Sequence, residues 1–352
     1  MATPIVTADA VYETLKTRLD RVMPDFEIRM KAEVAAEILE LKRERNAVIL
    51  AHNYMEPALF YSVPDYRGDS LELSRIAATV EADVIVFCGV RFMAETAKVL
   101  SPERTVLLPA SGPAGCSLAE SITAEDVRSL RTRFPGVPVV AYVNTYADVK
   151  AEVDVCCTSG NARAVVESLD SDTVIFLPDE FLARNVARET GRRILLGRPG
   201  GSVEEMPGGD GGGTLVAWNG RCEVHELFTV QDVETARAQF PGVVVLAHPE
   251  CPPEVVAASD FSASTSAMTR FVEESDAPHF LLLTECSMGD NIAAANPRKD
   301  MLRLCSHRCP HMAEITLEDV RDALRHDRQR VEVPEDVRVR ALKSLQRMIA
   351  IS

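Results

Sequence analysis

Three cysteines in this chain precede the same short phrase. Cys116, Cys222 and Cys309 are each followed seven positions later by a Thr, and three positions after that by an Asp-Val pair. Three thiolates in one pocket would repel one another unless a cation neutralised them, and such soft ligands select Zn²⁺ or an iron–sulfur cluster. Structural zinc sites and closed [4Fe–4S] clusters usually take four protein ligands. Three cysteines therefore predict a metal site with one position open to substrate or water, as Lewis-acid catalysis requires.

Cys309 also belongs to a local pattern. Cys305 and Cys309 are spaced C-x₃-C, which would form a small zinc clip if the threefold phrase were accidental. Agreement between the three phrases favours the shared site. Nine cysteines without a secretory signal predict reduced thiols, and those outside the phrase are interpreted as core residues, with Cys305 near enough to Cys309 to be a redox partner. These six are Cys88, Cys156, Cys157, Cys251, Cys286 and Cys305.

Acid–base groups stand at the ends of three predicted strands. The strand-end triplets are His52-Asn53-Tyr54, Tyr142-Val143-Asn144 and His248-Pro249-Glu250. Open parallel sheets bind ligands beyond the carboxyl ends of their strands, so we expect these side chains and the three cysteines to face one centre. Beside an open metal position they offer what general acid–base catalysis requires, and Glu250 is the predicted proton shuttle.

A hydroxyl residue follows each triplet at a turn into a helix. Ser70 lies 17 positions after Asn53, and Ser159 and Thr265 lie 15 positions after Asn144 and Glu250. One such residue is usually a simple helix cap. Three at matching positions predict a set of helix N-termini that would hold anionic groups, for example two carboxylates and a phosphate.

The elements that carry these residues are repeated as well. Apolar runs of strand length alternate with helical patterns, which is typical of βαβ units and parallel sheets. Helices are predicted at 31–45, 123–134 and 229–240, and the Thr of each phrase is followed three positions later by Asp, as in a capping box. The predicted fold class is α/β, with three similar αβα sandwich domains and parallel sheets around a pseudo-threefold axis, produced by internal triplication.

The predicted domain boundaries follow this repeat. We expect an N-terminal extension, three α/β repeats, a glycine-rich insertion within the second repeat, and C-terminal helices that pack back on the first domain. These segments are 1–30, then 31–122, 123–228 and 229–315, with the insertion at 198–213 and the C-terminal helices at 316–352.

The net charge and the distribution of apolar residues argue against some classes of function. The formal net charge of −15 argues against binding nucleic acid or an anionic membrane surface, because both require a basic patch. No stretch approaches the length of a bilayer span, and the first residues have no apolar signal core. We therefore expect a cytoplasmic protein that acts on small molecules.

An ordered series of motifs resembles the quinolinate synthase family, the A proteins of de novo NAD biosynthesis. The motifs are "AHNY", "GDSLELS", "VFCGVRFMAETAKVL", "AYVNTYADVK", "TSGNA", "GRCEVHELFT", "HPEC", "ASTSAM" and "CPHMAEITLED", and they span about residues 45 to 320. The resemblance implies a three-domain pseudo-threefold fold and one [4Fe–4S] cluster per chain. The implied ligands are Cys116, Cys222 and Cys309, with the fourth iron open.

The resemblance also implies a reaction. Such enzymes condense iminoaspartate with dihydroxyacetone phosphate, losing phosphate and two waters to give quinolinate. Functional coupling to L-aspartate oxidase is a hypothesis for the supply of iminoaspartate. The implied catalytic residues are His52, Tyr54, His248 and Glu250. The implied substrate-binding residues are His52, Ser70, Tyr142, Asn144, Ser159, His248, Glu250 and Thr265.

Two other functions use the same three cysteines. A zinc-dependent hydrolase would combine them with Glu250 and a metal-bound water. A redox sensor would bind a cluster without catalysing a reaction. Metal content and quinolinate formation distinguish these two hypotheses from the synthase.

Overall fold

Three mainly parallel sheets with helices on both sides form the chain, which confirms the predicted α/β class and its three αβα units. The computed structural model describes residues 7–197, 203–206 and 212–351. The first, second and third units are defined here by their sheets. Their strand orders are β2-β1-β3-β4, β6-β5-β7-β10-β8-β9 and β12-β11-β13-β14, and of these pairs only β8–β9 is antiparallel.

The strands of the described residues begin and end as follows. The first unit contains β1 (Ala47–His52), β2 (Tyr66–Gly68), β3 (Val84–Cys88) and β4 (Thr105–Leu107). The second contains β5 (Val139–Tyr142), β6 (Val155–Cys157), β7 (Thr173–Leu177), β8 (Arg193–Gly197), β9 (Val203–Met206) and β10 (Thr214–Trp218). The third contains β11 (Val244–Ala247), β12 (Phe261–Ser262), β13 (His279–Leu283) and β14 (Asp300–Arg303).

The helices follow in chain order. Up to the end of the first unit they are α1 (Ala8–Leu19), α2 (Asp25–Glu44), α3 (Pro57–Ser62), α4 (Ser70–Ala77), α5 (Arg91–Leu100) and α6 (Ser117–Glu120). In the second unit they are α7 (Ala124–Arg133), α8 (Ala147–Lys150), α9 (Ala162–Glu167) and α10 (Glu180–Thr190). The remainder are α11 (Val230–Gln239), α12 (Pro253–Ala258), α13 (Thr265–Glu274), α14 (Cys286–Ala295), α15 (Leu317–His326) and α16 (Glu335–Ala350).

The three phrases form identical helix caps. Thr123, Thr229 and Thr316 each accept a hydrogen bond from the backbone of the Asp three residues later, and that Asp side chain accepts from the Thr backbone. The predicted capping boxes are therefore confirmed, and they set the starts of α7, α11 and α15. The helix predicted at 31–45 starts earlier in the structure, where α2 extends from Asp25 to Glu44.

One aspartate ties the first strand of each unit to the chain that precedes the second strand. Asp65, Asp154 and Asp260 accept the backbone N–H of a first-strand residue at 2.8 Å in all three units. Each also pairs at 2.9 Å with a basic residue 23 positions earlier. These partners are Lys42, Arg131 and Arg237. The same hydrogen bonds at the same spacing are independent structural support for triplication.

Each central strand is buried on both faces, as parallel sheets require. In the third unit, Val245 and Leu281 face the core on the side of α11 and α12, whereas Leu246 and Phe280 face the core on the side of α13 and α14. One larger core spans the first two units and the terminal helices. The sheets are thus fixed by packing, and the loops at their carboxyl ends are left to carry the site.

The helices after the third repeat pack on other parts of the chain. α15 packs against α2, while α16 lies against α8 and β6 of the second unit and against α5 of the first. Most of the glycine-rich insertion lies outside the described residues, apart from β9, which pairs with β8, and residues 212–213. The domain boundaries themselves stay a prediction. None of the described helices combines the length and the apolar composition that crossing a membrane demands.

Candidate active site at the meeting point of the three units

All the side chains predicted for the site line one cavity. The cavity lies where the carboxyl ends of the three sheets meet. Its lining includes His52, Tyr54, Ser70, Cys116, Tyr142, Asn144, Ser159, Cys222, His248, Glu250, Thr265 and Cys309. Phe92 and Met93 add an apolar wall to this cavity. The chemical roles of these residues are separate predictions.

The three cysteines share one local geometry. Each is half-buried, and each backbone carbonyl accepts the N–H of the residue four positions later, at 3.0 or 3.1 Å. Each sulfur also accepts backbone N–H groups from the residues two and three positions later. Backbone hydrogen bonds of this kind stabilise the negative charge of thiolates that bind iron–sulfur clusters.

Burial keeps these thiols protonated unless a cation is present. It raises the pKa of Cys309 to about 12 and the pKa values of Cys116 and Cys222 further above their ordinary range. A thiolate here needs a bound metal to offset the loss of water around it. The donor set therefore fits a resident metal centre.

The distances between the three cysteine sulfurs bear on whether the metal centre is a zinc ion or an iron–sulfur cluster. Among the described residues, only one set of three His, Cys, Asp or Glu side chains has all its ligand atoms within 4.8 Å of one another. This set is Cys222, His225 and Glu250. At least one pair of sulfurs among Cys116, Cys222 and Cys309 is therefore more than 4.8 Å apart. Four ligands about 2.3 Å from one zinc ion would place sulfurs only about 3.8 Å apart. In a cluster each cysteine binds a different iron, so a wider separation is expected.

Two histidines are held neutral in one tautomer. His52 Nδ1 and His248 Nδ1 accept the backbone N–H of Tyr54 and Glu250 at 3.3 and 3.4 Å. Burial lowers the pKa of His52 to about 4 and of His248 to about 3, although the Glu250 charge opposes both shifts. Each ring consequently carries its proton on Nε2, and Nε2 of His248 lies 3.3 Å from the Ser159 hydroxyl.

Glu250 is an ionised carboxylate in a buried position. Burial alone would raise its pKa, but nearby His225 and His248 and a hydrogen bond from Tyr142 bring it down to about 2. The Tyr142 hydroxyl donates to Oε1, and Asn144 Nδ2 contacts the same oxygen at 3.4 Å. The other oxygen lies 2.7 Å from His225 Nδ1. Glu250 is thus held by residues of the second unit and by the segment before the third.

Sequence reasoning missed His225 and Thr284. His225 is buried, stacks on His248 with ring centroids 4.6 Å apart, and places Nε2 3.1 Å from the Thr284 hydroxyl. That hydroxyl lies 2.6 Å from the Tyr54 hydroxyl. A hydrogen-bonded chain therefore runs from Tyr54 through Thr284 and His225 to Glu250 and Tyr142. It joins all three units.

The three hydroxyl turns differ in how they meet the cavity. Thr265 receives a hydrogen bond from Asn53 Nδ2 at 2.9 Å, which fixes its hydroxyl. At the start of α4 the Asp69 carboxylate caps the N–H groups of Leu71 and Glu72, so this helix start is the least suited to an anion. The cavity lining contains no Lys or Arg among the described residues. An anionic ligand would be held by uncharged donors.

The expectation that all the cysteines are reduced is wrong. Cys286 and Cys305 form a disulfide, so not all the thiols are reduced, and Cys305 has no thiolate for a zinc clip with Cys309. The ends of the adjacent strands β13 and β14 bring these two cysteines together. Glu95 is also buried, and its carboxylate accepts the Ala147 N–H of the second unit. The other four cysteines outside the phrase are buried as expected.

The chain is similar to known proteins over nearly its whole length. A family model described as "NadA: Quinolinate synthetase A protein" matches residues 36–350. The chain belongs to this family. It is therefore a member of an enzyme family, and its relatives cover nearly its whole length.

The curated relatives of this family are similar along most of both chains. "Quinolinate synthase 2" of Mesorhizobium japonicum is 52% identical over 337 residues, covering 96% of this chain and 97% of the relative. "Quinolinate synthase" of Agrobacterium fabrum is 52% identical over 346 residues, covering 98% and 92%. "Quinolinate synthase" of Xylella fastidiosa, strain 9a5c, is 52% identical over 314 residues, covering 89% and 86%.

Proposed function

We propose that this chain is a quinolinate synthase of NAD biosynthesis. It would condense iminoaspartate with dihydroxyacetone phosphate to quinolinate, with loss of phosphate and two waters. The observation that carries the proposal is the meeting of three repeated cysteines and three strand-end polar sets around one cavity. Membership of the quinolinate synthetase A family supports the reaction.

The proposed cofactor is one [4Fe–4S] cluster per chain on Cys116, Cys222 and Cys309. Repeated backbone N–H groups around each sulfur, and the separation of the sulfurs, support a cluster over one zinc ion. When bound, such a cluster supplies a Lewis-acidic iron with an open position. The residues around the cavity would bind the substrates and move the protons.

The proposed acid–base roles follow from the protonation states. His52 and His248 are neutral, so their Nε2–H groups would donate hydrogen bonds to developing negative charge on oxygen. Glu250 is ionised and would accept a proton during imine and enol isomerisation. Tyr54 is connected to it through Thr284 and His225, so a proton taken up at one end could be returned at the other.

The proposed substrate contacts use uncharged donors. Ser159, Thr265 and Asn144 would bind carboxylate or phosphate oxygens, and Ser70 would add a hydroxyl beside the capped start of α4. Tyr142 would orient the substrate through its contact with Glu250. Coupling to L-aspartate oxidase is a proposal for the supply of iminoaspartate, and the cytoplasm is the proposed location.

Metal content and product formation test the proposal together. Protein purified without oxygen should contain about four irons and four sulfides per chain and should make quinolinate from the two substrates. Cys222→Ser should lose both properties, whereas the matched control Cys88→Ser, at a buried strand position, should keep them. Zinc without iron would favour the hydrolase. A full cluster without product would favour the sensor.

The structure also brings together a candidate set of zinc ligands other than the three cysteines of the hydrolase hypothesis. Cys222, His225 and Glu250 lie close together, but His225 Nδ1 is only 2.7 Å from the Glu250 oxygen. Two ligands about 2.0–2.2 Å from one tetrahedral zinc ion would be more than 3 Å apart. Hydrogen bonding explains this arrangement better than metal binding does.

A further inference from the structure

One helix of each unit contacts the turn that follows the first strand of the next unit. The three helices are α5, α10 and α14, and each follows the third strand of its sheet. α5 reaches the turn after β5, α10 reaches the turn after β11, and α14 reaches the turn after β1. The contacts therefore run from the first unit to the second, from the second to the third, and from the third back to the first.

Two of these contacts are made by one buried asparagine at matching positions. Asn185 and Asn291 are each the sixth residue of their helix, and they are 1% and 4% exposed. Asn185 Nδ2 donates to the Pro249 and Cys251 carbonyls at 2.9 and 3.2 Å. Asn291 Nδ2 donates to the equivalent Asn53 and Met55 carbonyls at 3.1 and 2.9 Å.

The second turn uses different side chains for the same purpose. The Glu95 carboxylate on α5 accepts the Ala147 N–H at 2.8 Å. The buried Lys150 ammonium donates to the Thr145 carbonyl, which is the counterpart of the Met55 and Cys251 carbonyls. All three turns are thus fixed by buried polar groups, although only two of them use Asn.

The side-chain oxygens of both asparagines lack a hydrogen-bond partner among the described residues, although they are buried. A buried acceptor without a partner costs about 1–3 kcal/mol. An apolar residue would avoid this cost, but it would leave two turn carbonyls without donors. The amide is therefore suited to holding the turn rather than to filling space.

We propose that Glu95, Asn185 and Asn291 are positioning residues for catalysis. Asn291 aligns the turn of His52 and Tyr54, Asn185 aligns the turn of His248 and Glu250, and Glu95 aligns the turn after Asn144. None of the three lines the cavity. This inference rests on the proposed function, because the aligned residues are those assigned to proton transfer and substrate binding.

Kinetics of single variants test the alignment. Asn185→Ala and Asn291→Ala should lower kcat on the order of 10- to 100-fold, as loss of supporting contacts does elsewhere. KM should change by less than about threefold, and iron and sulfide content should stay at the wild-type level. Matched controls on the same helices, Thr190→Ala and Asn296→Ala, remove only bonds within the helix and should keep kcat. Wild-type kcat in both asparagine variants would overturn the proposal.

The Glu95 position separates alignment from packing. Glu95→Gln keeps an oxygen that accepts the Ala147 N–H, so kcat should stay within about threefold of wild type. Glu95→Met fills similar space without an acceptor, so kcat should fall as in the asparagine variants. Equal kcat in the two Glu95 variants would contradict the role. If the alanine variants of the asparagines do not fold, Asn185→Leu and Asn291→Leu, which fill similar space without a donor or a buried charge, replace them in all measurements.

Hydrogen exchange gives a readout that does not depend on the reaction. Asn291→Ala should speed backbone exchange in residues 53–55 and leave 249–251 unchanged, whereas Asn185→Ala should do the reverse. Unchanged exchange at both turns would refute the inference even if the wild-type enzyme makes quinolinate. A wild-type protein that makes no quinolinate but shows the expected exchange pattern would refute the proposed function and leave the alignment standing.

Discussion

The bond between Tyr142 and Glu250 gives the sharpest energetic prediction. Tyr142 is 4% exposed and donates its hydroxyl hydrogen to an ionised carboxylate that is also buried. Hydrogen bonds to charged groups contribute about 1.5–3 kcal/mol. If all 352 residues unfold cooperatively, about 1 kcal/mol corresponds to about 1.4 °C in Tm. Tyr142→Phe should therefore lower Tm by about 2–4 °C at pH 7.

The Glu250 charge sets the pH range of this effect. Its pKa falls from an ordinary 4.5 to about 2 in the folded state, so its stabilising contribution is fully present above 4.5 and is lost as the pH falls toward 2. Removing this bond should raise the pKa of Glu250 in the folded state, because Tyr142 donates to the ionised form. Glu250 stays ionised at pH 7 in both proteins, so the Tm difference there reports the full bond.

A double-mutant cycle separates this bond from the general cost of losing a hydroxyl. In a Glu250→Gln background the acceptor is neutral, and such a bond contributes only about 0.5–1.5 kcal/mol. The cost of Tyr142→Phe should then shrink by about 1.5 kcal/mol, or about 2 °C. Tyr146→Phe, whose hydroxyl contacts exposed Glu120 at 3.3 Å, is the control and should change Tm by less than about 1 °C. Additive Tm changes in the cycle would refute a charge-assisted bond.

Three further predictions concern stability and catalysis. Removing the aspartate of any one unit should lower Tm by about 1–3 °C, because Asp65→Ala, Asp154→Ala and Asp260→Ala each remove the same hydrogen bond to the backbone. Asp170→Ala, at an exposed position, is the control. Unequal losses of Tm would argue against equivalent units. Burial lowers the pKa of Lys150 from 10.5 to about 8, so the contribution of Lys150 to the unfolding free energy should rise with pH between these values, by up to about 3 kcal/mol. Lys150→Met lacks this contribution, so the difference in Tm between wild type and Lys150→Met should change over this pH range, and parallel Tm-against-pH curves for the two proteins would contradict this. Glu250→Gln should keep its iron and sulfide and lose turnover, and wild-type turnover in that variant would remove Glu250 from the mechanism.

The sequence predicts those parts of the fold that depend on local chemistry. A Thr three residues before an Asp forms a capping box by itself, so the starts of α7 and α11 follow directly from the phrases. The gathering of the site residues follows from topology, because parallel strands present their carboxyl ends at one edge. The short strands β6 and β12 give no comparable pattern, since three and two residues are too few for a period.

Other features escape sequence reasoning for identifiable reasons. His225 lies three positions after its cysteine, where the other two phrases have Ala119 and Met312, so comparison of the repeats conceals it. The Cys286–Cys305 disulfide depends on two adjacent parallel strands, which the spacing along the chain does not reveal. The basic residue 23 positions before Asp65, Asp154 and Asp260 was a usable signal. It would have strengthened the case for triplication.

If the three repeated units assemble one quinolinate-forming site, that site needs all three repeated cysteines. The most direct measurement is quinolinate formation by protein purified without oxygen, supplied with iminoaspartate and dihydroxyacetone phosphate, beside Cys116→Ser, Cys222→Ser and Cys309→Ser. The wild-type protein should form product, and none of the three variants should, because each of them should also lose its iron. Product from any single cysteine variant at the wild-type rate, or none from an iron-loaded wild-type protein, would contradict this prediction.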